Sequence, residues 1–333
     1  MSAWLGATLV AFVLIIVLLI IKQLFWNPRL KSVKNKHVVI TGGSSGIGKC
    51  VAIIAARHGA NVTIIARDVQ KLEAAKNEIL HACENKDVQR VEYLSLDIGA
   101  NYENVEKALA DLEKTMGPIY MLVNCAGIAI CSKIEDTTPD SLNKMIHINL
   151  LGTYYCIKAV TQRMKASREG VIVLTSSAAA FLGIFGYSAY CSTKFALRGL
   201  AESIAMELRP YNISVTLSLP PDTDTPGFAI EELSKPLETK LISQTSKLVN
   251  PDVVADKLFK DALAGKFFSF IGLDGFILAT LCSGMSPFKS ISELLLQALL
   301  MGLLRIVSAF YLICFDKIIL NCITTRDKNK KSE

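Results

Sequence analysis

The 333-residue chain has no pair of cysteines at C-x-x-C spacing and only four histidines. These absences exclude the common Cys/His zinc motifs, so the sequence predicts no metal site. The scattered cysteines are interpreted as free thiols, which are typical of a reducing compartment rather than of a disulfide-bonded secreted protein. They are Cys50, Cys83, Cys125, Cys131, Cys156, Cys191, Cys282, Cys314 and Cys322.

A basic stripe interleaved with aromatic residues is also absent, although the formal net charge is +6. Such a stripe is the usual signature of a nucleic-acid-binding surface. The excess of Lys and Arg lies mainly after the first hydrophobic run and in the C-terminal tail. We therefore predict no nucleic-acid partner.

Charged residues are missing from Ala3 to Ile21. This apolar run is long enough to cross a hydrocarbon core of about 30 Å, and Trp4 and Trp26 bracket it as interfacial aromatic residues do. A cleaved signal peptide is the alternative, but no basic side chain precedes the run and no A-x-A-like site follows it. We expect an uncleaved membrane anchor over residues 1–26.

Basic residues follow this run, whereas only the amino terminus carries positive charge before it. The positive-inside rule then predicts that the main domain faces the cytosol. The basic residues are Lys22, Arg29, Lys31, Lys34 and Lys36.

Apolar sequence returns after Ile271. The segment Phe276–Met285 is short, whereas Leu294–Phe315 is long enough to span a bilayer but contains Arg305. An Arg at the bilayer centre costs about 2.5–3.5 kcal/mol on insertion scales. A membrane hairpin and helices lying on the membrane over the active site therefore both stay open, and we expect a membrane-associated extension over residues 272–316.

Residues 317–333 form a basic tail, for which we expect a cytosolic position. Lys330 and Lys331 resemble an endoplasmic-reticulum retrieval signal. A plain solvated basic terminus is the alternative, since charge runs at chain ends are common.

Strand-like apolar runs alternate with helix-length segments between residues 36 and 271. Runs that are apolar throughout are typical of strands buried on both faces. Their alternation with helices predicts right-handed crossovers and an α/β fold with a doubly wound parallel sheet, in which ligands bind past the carboxyl ends of the strands. The predicted strands are His37–Thr41, Val62–Ala66, Val91–Leu96, Met121–Asn124, Val171–Thr175, Ile213–Leu219 and Phe267–Ile271. The predicted helices are Ile47–His58, Val69–Cys83, Leu142–Met164, Ala189–Leu208 and Pro251–Leu263.

The first predicted strand ends in the turn T-G-x-x-x-G-x-G, over Thr41–Gly48. Glycines permit a tight turn, and backbone N–H groups at the start of the following helix can then face the pyrophosphate of a dinucleotide. The predicted cofactor-binding residues of this turn are Gly42, Ser44, Ser45, Gly46, Ile47 and Gly48.

The second predicted strand ends in Ala66-Arg67, where an acidic residue would be expected to bind the ribose of NAD. Arg67 can pair with a 2′-phosphate, and Lys71 lies one turn further on. The sequence therefore favours NADP(H), with a surface role for each cation as the alternative.

Tyr190 and Lys194 form a Y-x-x-x-K pair on a predicted helix. Residues four apart share one face of a helix. The Lys194 ammonium is expected to lower the pKa of the Tyr190 phenol by stabilising the phenolate, which would make Tyr190 a usable proton donor.

Several segments in order resemble the short-chain dehydrogenase/reductase family over roughly residues 36–271. They are Thr41–Gly48, Asp97, Asn124–Gly127, Asn149, Ser176–Ser177 and Tyr190–Lys194. The resemblance implies a Rossmann-type sheet of about seven strands and hydride transfer between a nicotinamide cofactor and a ketone or alcohol.

The resemblance also implies roles for these residues. Tyr190 would donate a proton to the carbonyl oxygen, while Lys194 would hold the nicotinamide ribose and Asn149 a water that relays protons to Lys194. A serine would stabilise the developing oxyanion. The family spacing favours Ser177, and its neighbour Ser176 is the alternative.

Three further positions would serve the cofactor. Asn124 and Gly127 belong to the turn after the fourth strand, in which Cys125 departs from the family pattern. Asp97 would hydrogen-bond the adenine ring; its alternative role is to cap the helix near Asn101.

Three more segments resemble one group within the family, the 3-ketodihydrosphingosine reductases. They are Pro220–Phe228, Lys235–Thr239 and Gly284–Met285. This resemblance implies NADPH-dependent reduction of a long-chain sphingoid ketone at the cytosolic face of the endoplasmic reticulum, in contact with membrane lipid. Asp222 and Asp224 are candidates for binding the substrate ammonium, with bracing of their loop as the alternative.

Two other functions stay open from the sequence. A membrane-bound hydroxysteroid or retinol dehydrogenase would share the anchor and the motifs. A non-catalytic dinucleotide-binding scaffold is disfavoured because Tyr190 and Lys194 are both present. By analogy with relatives, a homodimer through Leu142–Met164 and Ala189–Leu208 is also expected.

Overall fold

A parallel sheet forms the centre of the protein in the computed structural model, which describes residues 10–11, 14–22 and 30–332. Its strands are β1 (His37–Thr41), β2 (Asn61–Ala66), β3 (Val91–Ser95), β4 (Ile119–Asn124), β5 (Gly170–Thr175), β6 (Ile213–Leu219) and β7 (Phe268–Phe270). The seven strands lie in the order β3-β2-β1-β4-β5-β6-β7, and each neighbouring pair is parallel. The predicted doubly wound α/β sheet of about seven strands is confirmed.

Helices connect these strands. They are α1 (Gly46–Arg57), α2 (Val69–Ala82), α3 (Tyr102–Met116), α4 (Pro139–Met145), α5 (Thr153–Ser167), α6 (Ser188–Leu208), α7 (Pro226–Ser234), α8 (Leu237–Ser243), α9 (Pro251–Leu263), α10 (Gly272–Leu281) and α11 (Ile291–Ser332). A π-helical segment, Ile146–Gly152, joins α4 to α5, and short 3₁₀ turns occur at Ala178–Ala180 and Arg209–Tyr211.

The sheet is buried on both faces because its central strands carry apolar side chains at nearly every position. In β1, Val38 and Ile40 pack with α1, α2 and α9, whereas Val39 packs in the opposite layer with α3, α5 and α6. This alternation is the period of two expected of a strand. The two apolar layers hold the carboxyl ends of the strands at one edge, where the candidate site lies.

One long helix predicted over Leu142–Met164 differs from the structure in two ways. It begins earlier, at Pro139, because Thr138 caps it by accepting a hydrogen bond from the Ser141 amide. It also contains the π-helical segment Ile146–Gly152. π turns are rare and occur frequently at functional sites, and the apolar spacing of the sequence does not reveal this one.

Helix α3 was not predicted from the sequence. Asn101 is its cap, because its side chain accepts from the Asn104 amide at 2.9 Å. The alternative in which Asp97 caps this helix is therefore wrong; Asp97 Oδ1 accepts from the Gly99 amide instead. Helices α7 and α8 were also not predicted, and both lie beside the candidate site.

The C-terminal extension is helical in α10 and α11. Helix α11 continues through the predicted boundary at residues 316–317, and Ile291–Asn329 is long and apolar enough to cross a membrane, with a mean hydropathy of 2.2 over an 18-residue stretch. However, the helix packs beside α10 of the extension, and Arg326 near its end pairs with Glu238 of α8. The end of this helix therefore contacts the catalytic domain.

Little of the predicted N-terminal anchor belongs to the described part of the chain. Residues 14–22 are helical and mainly exposed. Trp4, Trp26 and Arg29 lie outside the described residues, as do the side chains of Lys330 and Lys331.

Candidate active site

A cleft of about 740 Å³ opens at the carboxyl ends of the first four strands. Most of the predicted cofactor-binding positions line it, together with residues that the sequence did not single out. Its lining includes Gly42, Ser44, Ser45, Gly46, Ile47, Gly48, Arg67, Asp68, Lys71, Asp97, Ile98, Gly127, Ile128, Ile148 and Thr225. The strand ends thus bring together residues far apart in the sequence.

The Gly-rich turn at the base of this cleft has no room for a side chain at Gly42 or Gly48. Gly42 has φ +69°, and a Cβ added there would lie 2.8 Å from the Ala126 backbone. A Cβ on Gly48 would lie 2.4 Å from the carbonyl oxygen of Gly42. Ser45 begins α1 without a side-chain capping bond. The first N–H groups of α1 can therefore bind an anionic group, and this cradle fits a dinucleotide pyrophosphate.

Two cations lie at the far side of the cleft, after β2. Arg67 Nη1 is 3.9 Å from Asp97 Oδ2, and about half of each side chain is exposed. Lys71 Nζ is 3.7 Å from Asp68 Oδ2, and Asp68 also caps α2. Exposed pairs of this kind contribute little to stability, so both cations are available to a phosphate group.

Asn124 is a predicted cofactor residue that lines neither this cleft nor the cavity that adjoins it. It is buried, and its side-chain amide donates to the Val173 carbonyl oxygen at 3.1 Å, across to β5. Its side chain therefore joins two strands, while the turn that follows it, through Gly127, lines the cleft.

Tyr190, Lys194 and Ser177 converge on a second cavity of about 300 Å³ that adjoins the first. Lys194 is buried, and its Nζ donates to the Thr175 carbonyl oxygen at 3.1 Å. The same Nζ lies 5.5 Å from the centroid of the Tyr190 ring. The Y-x-x-x-K spacing thus places both side chains on one face of α6, toward the end of β5.

Asn149 lies on the π-helical segment and is fully buried. Its amide nitrogen donates to the Ile128 carbonyl oxygen at 2.9 Å and to Thr193 Oγ1 at 3.1 Å, and its oxygen accepts from the Ile128 amide at 2.8 Å. These bonds tie the turn after β4 to the helix that carries Lys194.

The two adjacent serines have different partners. Ser176 is buried and donates to the Lys194 carbonyl oxygen at 3.0 Å, so its hydroxyl is used within the protein. Ser177 lines the cavity beside Tyr190, and its hydroxyl accepts from the Ala179 amide at 3.2 Å. Burial raises the pKa of the Tyr190 phenol, and a hydrogen bond with Ser177 offsets part of that rise. The geometry therefore separates the roles of the two side chains.

The expected lowering of the Tyr190 pKa by Lys194 is wrong for this structure. Burial raises the pKa of the phenol above its usual range, and the negative charge of Glu231 raises it further. Burial also lowers the pKa of Lys194 to about 8. Desolvation disfavours the charged form of each group, so the phenol is protonated and the ammonium largely retained near neutral pH.

The comparisons with known proteins agree with this geometry. The family model for short chain dehydrogenase matches residues 36–234. This chain belongs to the short-chain dehydrogenase family. It is therefore an oxidoreductase, and the predicted family resemblance is confirmed.

Relatives with named activities match almost the whole chain. A Danio rerio 3-dehydrosphinganine reductase is 47% identical over 98% of this chain and 98% of its own length. A Bos taurus 3-ketodihydrosphingosine reductase is 47% identical over 97% of this chain and 96% of its own length. One from Dictyostelium discoideum is 35% identical over 77% of this chain and 80% of its own length.

Solved structures of other short-chain dehydrogenases share the fold. A short-chain dehydrogenase from Sphingobium yanoikuyae in complex with NADPH superposes with a TM-score of 0.62 and 26% identity, over 71% of this chain and 87% of that one. An alcohol dehydrogenase from Thermococcus sibiricus complexed with 5-hydroxy-NADP superposes with a TM-score of 0.60 and 26% identity. The match covers 72% of this chain and 96% of that one.

The two acidic residues predicted to bind a substrate ammonium are separated in this dehydrogenase. Asp222 lines the cavity beside Tyr190 and accepts from the Ser243 hydroxyl. Asp224 is exposed and does not line that cavity; its backbone amide donates to the Val249 carbonyl oxygen. Bracing by a carboxylate, the alternative role, is seen at Asp222, whose side chain accepts from Ser243.

Sequence reasoning missed Glu231, which also lines this cavity. It lies on α7, whose start is marked by the cap Thr225 and by Pro226 at the first helical position. A Thr-Pro pair of this kind is a helix-start signal. That signal would have placed Glu231 and Lys235 one turn apart on a helix that follows β6.

We expect Gly48→Ala to lower the free energy of unfolding by about 1–3 kcal/mol, because the added methyl group would overlap the Gly42 carbonyl and force the turn to move. Gly199→Ala is the control, since nothing lies within 4 Å of a Cβ there, and this exposed helical site should gain about 0.5–1 kcal/mol. Urea unfolding of the detergent-solubilised protein measures both changes. Equal stability of the Gly48→Ala variant and the unchanged protein would contradict the close approach.

Proposed function

We propose that this protein reduces 3-ketodihydrosphingosine to dihydrosphingosine with NADPH, in sphingolipid synthesis. The observation that carries the proposal is the 47% identity to reductases of that name over 97–98% of this chain. That likeness extends beyond the dehydrogenase match, which ends at residue 234. The alternative, a hydroxysteroid or retinol dehydrogenase, gains no support from these relatives.

The proposed chemistry uses three side chains at the reacting carbonyl. The glycine turn and Lys194 would hold a nicotinamide cofactor, which would supply a hydride to the carbonyl carbon when bound. The Tyr190 phenol donates its proton to the carbonyl oxygen, and the Ser177 hydroxyl donates a hydrogen bond to the same oxygen as negative charge develops there. The phenol is protonated near neutral pH, as this direction requires, but burial raises the pKa of Tyr190 and so makes it a weaker acid than an exposed phenol.

Lys194 and Asn149 support that step. The Lys194 ammonium would bind the nicotinamide ribose and contribute positive charge beside the phenol. Both groups of the Asn149 amide already have protein partners, which supports a positioning role. Its involvement in a proton relay through water stays a prediction. Ser176 is assigned a structural role because its hydroxyl donates to the backbone of α6.

The cofactor assignment to NADP(H) rests on the cations after β2. The dinucleotide cleft has a glycine cradle at one end and Arg67 and Lys71 at the other. In this proposal Arg67 binds the 2′-phosphate, Lys71 assists it, and Asp97 hydrogen-bonds the adenine ring. A solved relative of this fold is in complex with NADPH, which supports the same choice.

The membrane proposal rests on helix α11. Exposed apolar side chains, among them Leu303, Ile306 and Phe310, lie along it. Since Arg326 ties the end of this helix to α8 and its middle lies beside α10, we favour a helix that lies on the membrane over a transverse span. The N-terminal anchor, the endoplasmic-reticulum location and the cytosolic orientation stay predictions.

We assign the alkyl chain of the substrate to an apolar cavity of about 320 Å³. This cavity lies between α10, α11 and the segment that begins at Phe181. Phe181, Leu278 and Leu312 are among its lining residues. Membrane lipid and a long-chain substrate would both find apolar surface there. A homodimer through α5 and α6 also stays a prediction, which the exposed Tyr154, Phe195 and Met206 support.

We expect the solubilised protein to oxidise NADPH with 3-ketodihydrosphingosine but not with a steroid ketone or retinal. Ser177→Ala should lower kcat by about 10²–10³-fold, because it removes one donor to the oxyanion. Tyr190→Phe should remove turnover by deleting the proton donor. Spectrophotometry of NADPH oxidation, with chromatographic identification of dihydrosphingosine, measures these effects.

Ser176→Ala is the matched control for the serine assignment, and it should retain most of the turnover. A larger loss in Ser176→Ala than in Ser177→Ala would reverse the assignment of the two serines. Turnover of the steroid ketone or retinal without turnover of the sphingoid ketone would overturn the proposed substrate.

We expect Arg67→Ala to raise the Kd for NADPH by about 10–100-fold and to leave the Kd for NADH unchanged, because a charge-assisted hydrogen bond contributes about 1.5–3 kcal/mol. Lys114→Ala, which removes an exposed cation paired with Asp111 away from the cleft, is the control. Titration of nicotinamide fluorescence measures both constants. Equal weakening of NADPH and NADH would show that Arg67 does not read the 2′-phosphate.

A further inference from the structure

A carboxylate that the proposed chemistry does not use lies in the wall of the substrate cavity. Glu231 of α7 lines this cavity with Tyr190 and Ser177, and only 13% of its side chain is exposed. Its Oε1 accepts from the Tyr187 hydroxyl and lies 3.1 Å from Lys235 Nζ. The Tyr187 ring is itself 5.4 Å from the Tyr190 ring, centroid to centroid, so Glu231 lies one aromatic ring away from the proton donor.

Negative charge exceeds positive charge around this position. Lys235 is completely buried and contacts Glu231 and Glu232, while Asp222 lines the same cavity. Three carboxylates thus accompany two ammonium groups, those of Lys235 and of Lys194, which also lines the cavity. Glu232 contacts Lys235 as well, so Glu231 is not needed merely to neutralise it. Holding a second carboxylate in a partly desolvated cavity is unfavourable unless a cation compensates for it.

Glu231 is also unfavourable for the reduction of a neutral ketone. After burial, its charge is the next cause that raises the pKa of Tyr190, which means that it disfavours negative charge at the phenol oxygen, next to the site of the reacting carbonyl. The developing alkoxide of any ketone would experience the same repulsion. A substrate that carries its own positive charge between the alkoxide and Glu231 would cancel the repulsion and gain an ion pair.

The proposed substrate has that feature, because its amino group is on the carbon next to the ketone. We propose that Glu231 binds this ammonium group and thereby selects 2-amino ketones over neutral ketones. This inference rests on the proposed function. Both contacts of Glu231 are on Oε1, and a carboxylate accepts hydrogen bonds on both oxygens, so Oε2 is the acceptor assigned to the substrate. The role first predicted for Asp222 and Asp224 passes to this residue.

Specificity of this kind combines attraction with repulsion. The Glu231 carboxylate attracts the ammonium group of the aminated substrate. The same carboxylate repels the alkoxide that develops when a neutral steroid or retinoid carbonyl is reduced. Removing its charge should therefore weaken one class of substrate without weakening the other, and that difference distinguishes recognition from a structural role.

The test compares Glu231→Gln with Glu232→Gln, a matched change at the adjacent carboxylate that also contacts Lys235 but does not line the cavity. The two substrates are 3-ketodihydrosphingosine and the same 3-ketone without the amino group. Glu231→Gln should lower kcat/KM for the amino ketone on the order of 100-fold, mainly through KM, as expected when one partner of a desolvated charge pair is lost. Activity on the neutral ketone should be retained or increased, and Glu232→Gln should change neither substrate by more than a few-fold.

Equal losses on both substrates, or an unchanged KM for the amino ketone, would overturn the inference while leaving the proposed function intact. Absence of amino-ketone turnover in the unsubstituted protein would instead overturn the proposed function, and this inference with it. NADPH binding reports folding, because Glu231 does not line the dinucleotide cleft. If Glu231→Gln fails to bind NADPH, Glu231→Asp replaces it. The Asp side chain keeps the negative charge but holds it farther from the substrate ammonium, so selectivity for the amino ketone should fall part of the way. Unchanged selectivity would contradict the proposal.

Discussion

Removal of water from around Tyr190 and Lys194 is the constraint on which the site depends. Lys194 is buried beneath the end of β5, and its ammonium donates to a backbone carbonyl there. Desolvation disfavours charge on both side chains, which keeps the phenol protonated and brings the ammonium pKa to about 8. A protonated phenol beside a largely charged ammonium is the state that ketone reduction requires. Both groups would have the same protonation states near neutral pH at their ordinary pKa values; packing changes the pKa values themselves, which rise for the phenol and fall for the ammonium.

That packing is provided by elements from separate parts of the chain. The π-helical segment presents Asn149 to both Ile128 and Thr193, so the turn after β4 and the helix carrying Lys194 are held in one arrangement. Asn124 joins β4 to β5 immediately below. A dinucleotide cradle and a proton donor are thereby fixed at the same edge of the sheet, as expected where the strand order of a doubly wound sheet reverses.

Much of this arrangement could be predicted from the sequence. Apolar runs gave all seven strands to within two residues at each end, because strands buried on both faces need apolar residues throughout. The turn at Thr41–Gly48 and the Tyr190–Lys194 pair identified both cavities. The sequence did not reveal the π turn, whose local spacing still resembles an α-helix, nor the signs of the pKa shifts, which depend on burial. Glu231 was missed because α7 was not recognised after the Pro220-Pro221 pair, and its importance depends on a contact with Tyr187 that is distant in sequence.

The most direct test of the account is the pH dependence of kcat/KM for NADPH, measured at saturating ketone. This quantity reports the titrating groups of the free protein. Lys194 carries its charge below its lowered pKa, so kcat/KM should be flat near neutral pH and fall as the pH rises through about 8. The neighbouring Cys125 thiol stays protonated in this range, because burial raises its pKa to about 11. A profile that stays level up to pH values near the ordinary lysine pKa of about 10.4 would contradict a desolvated Tyr190–Lys194 pair.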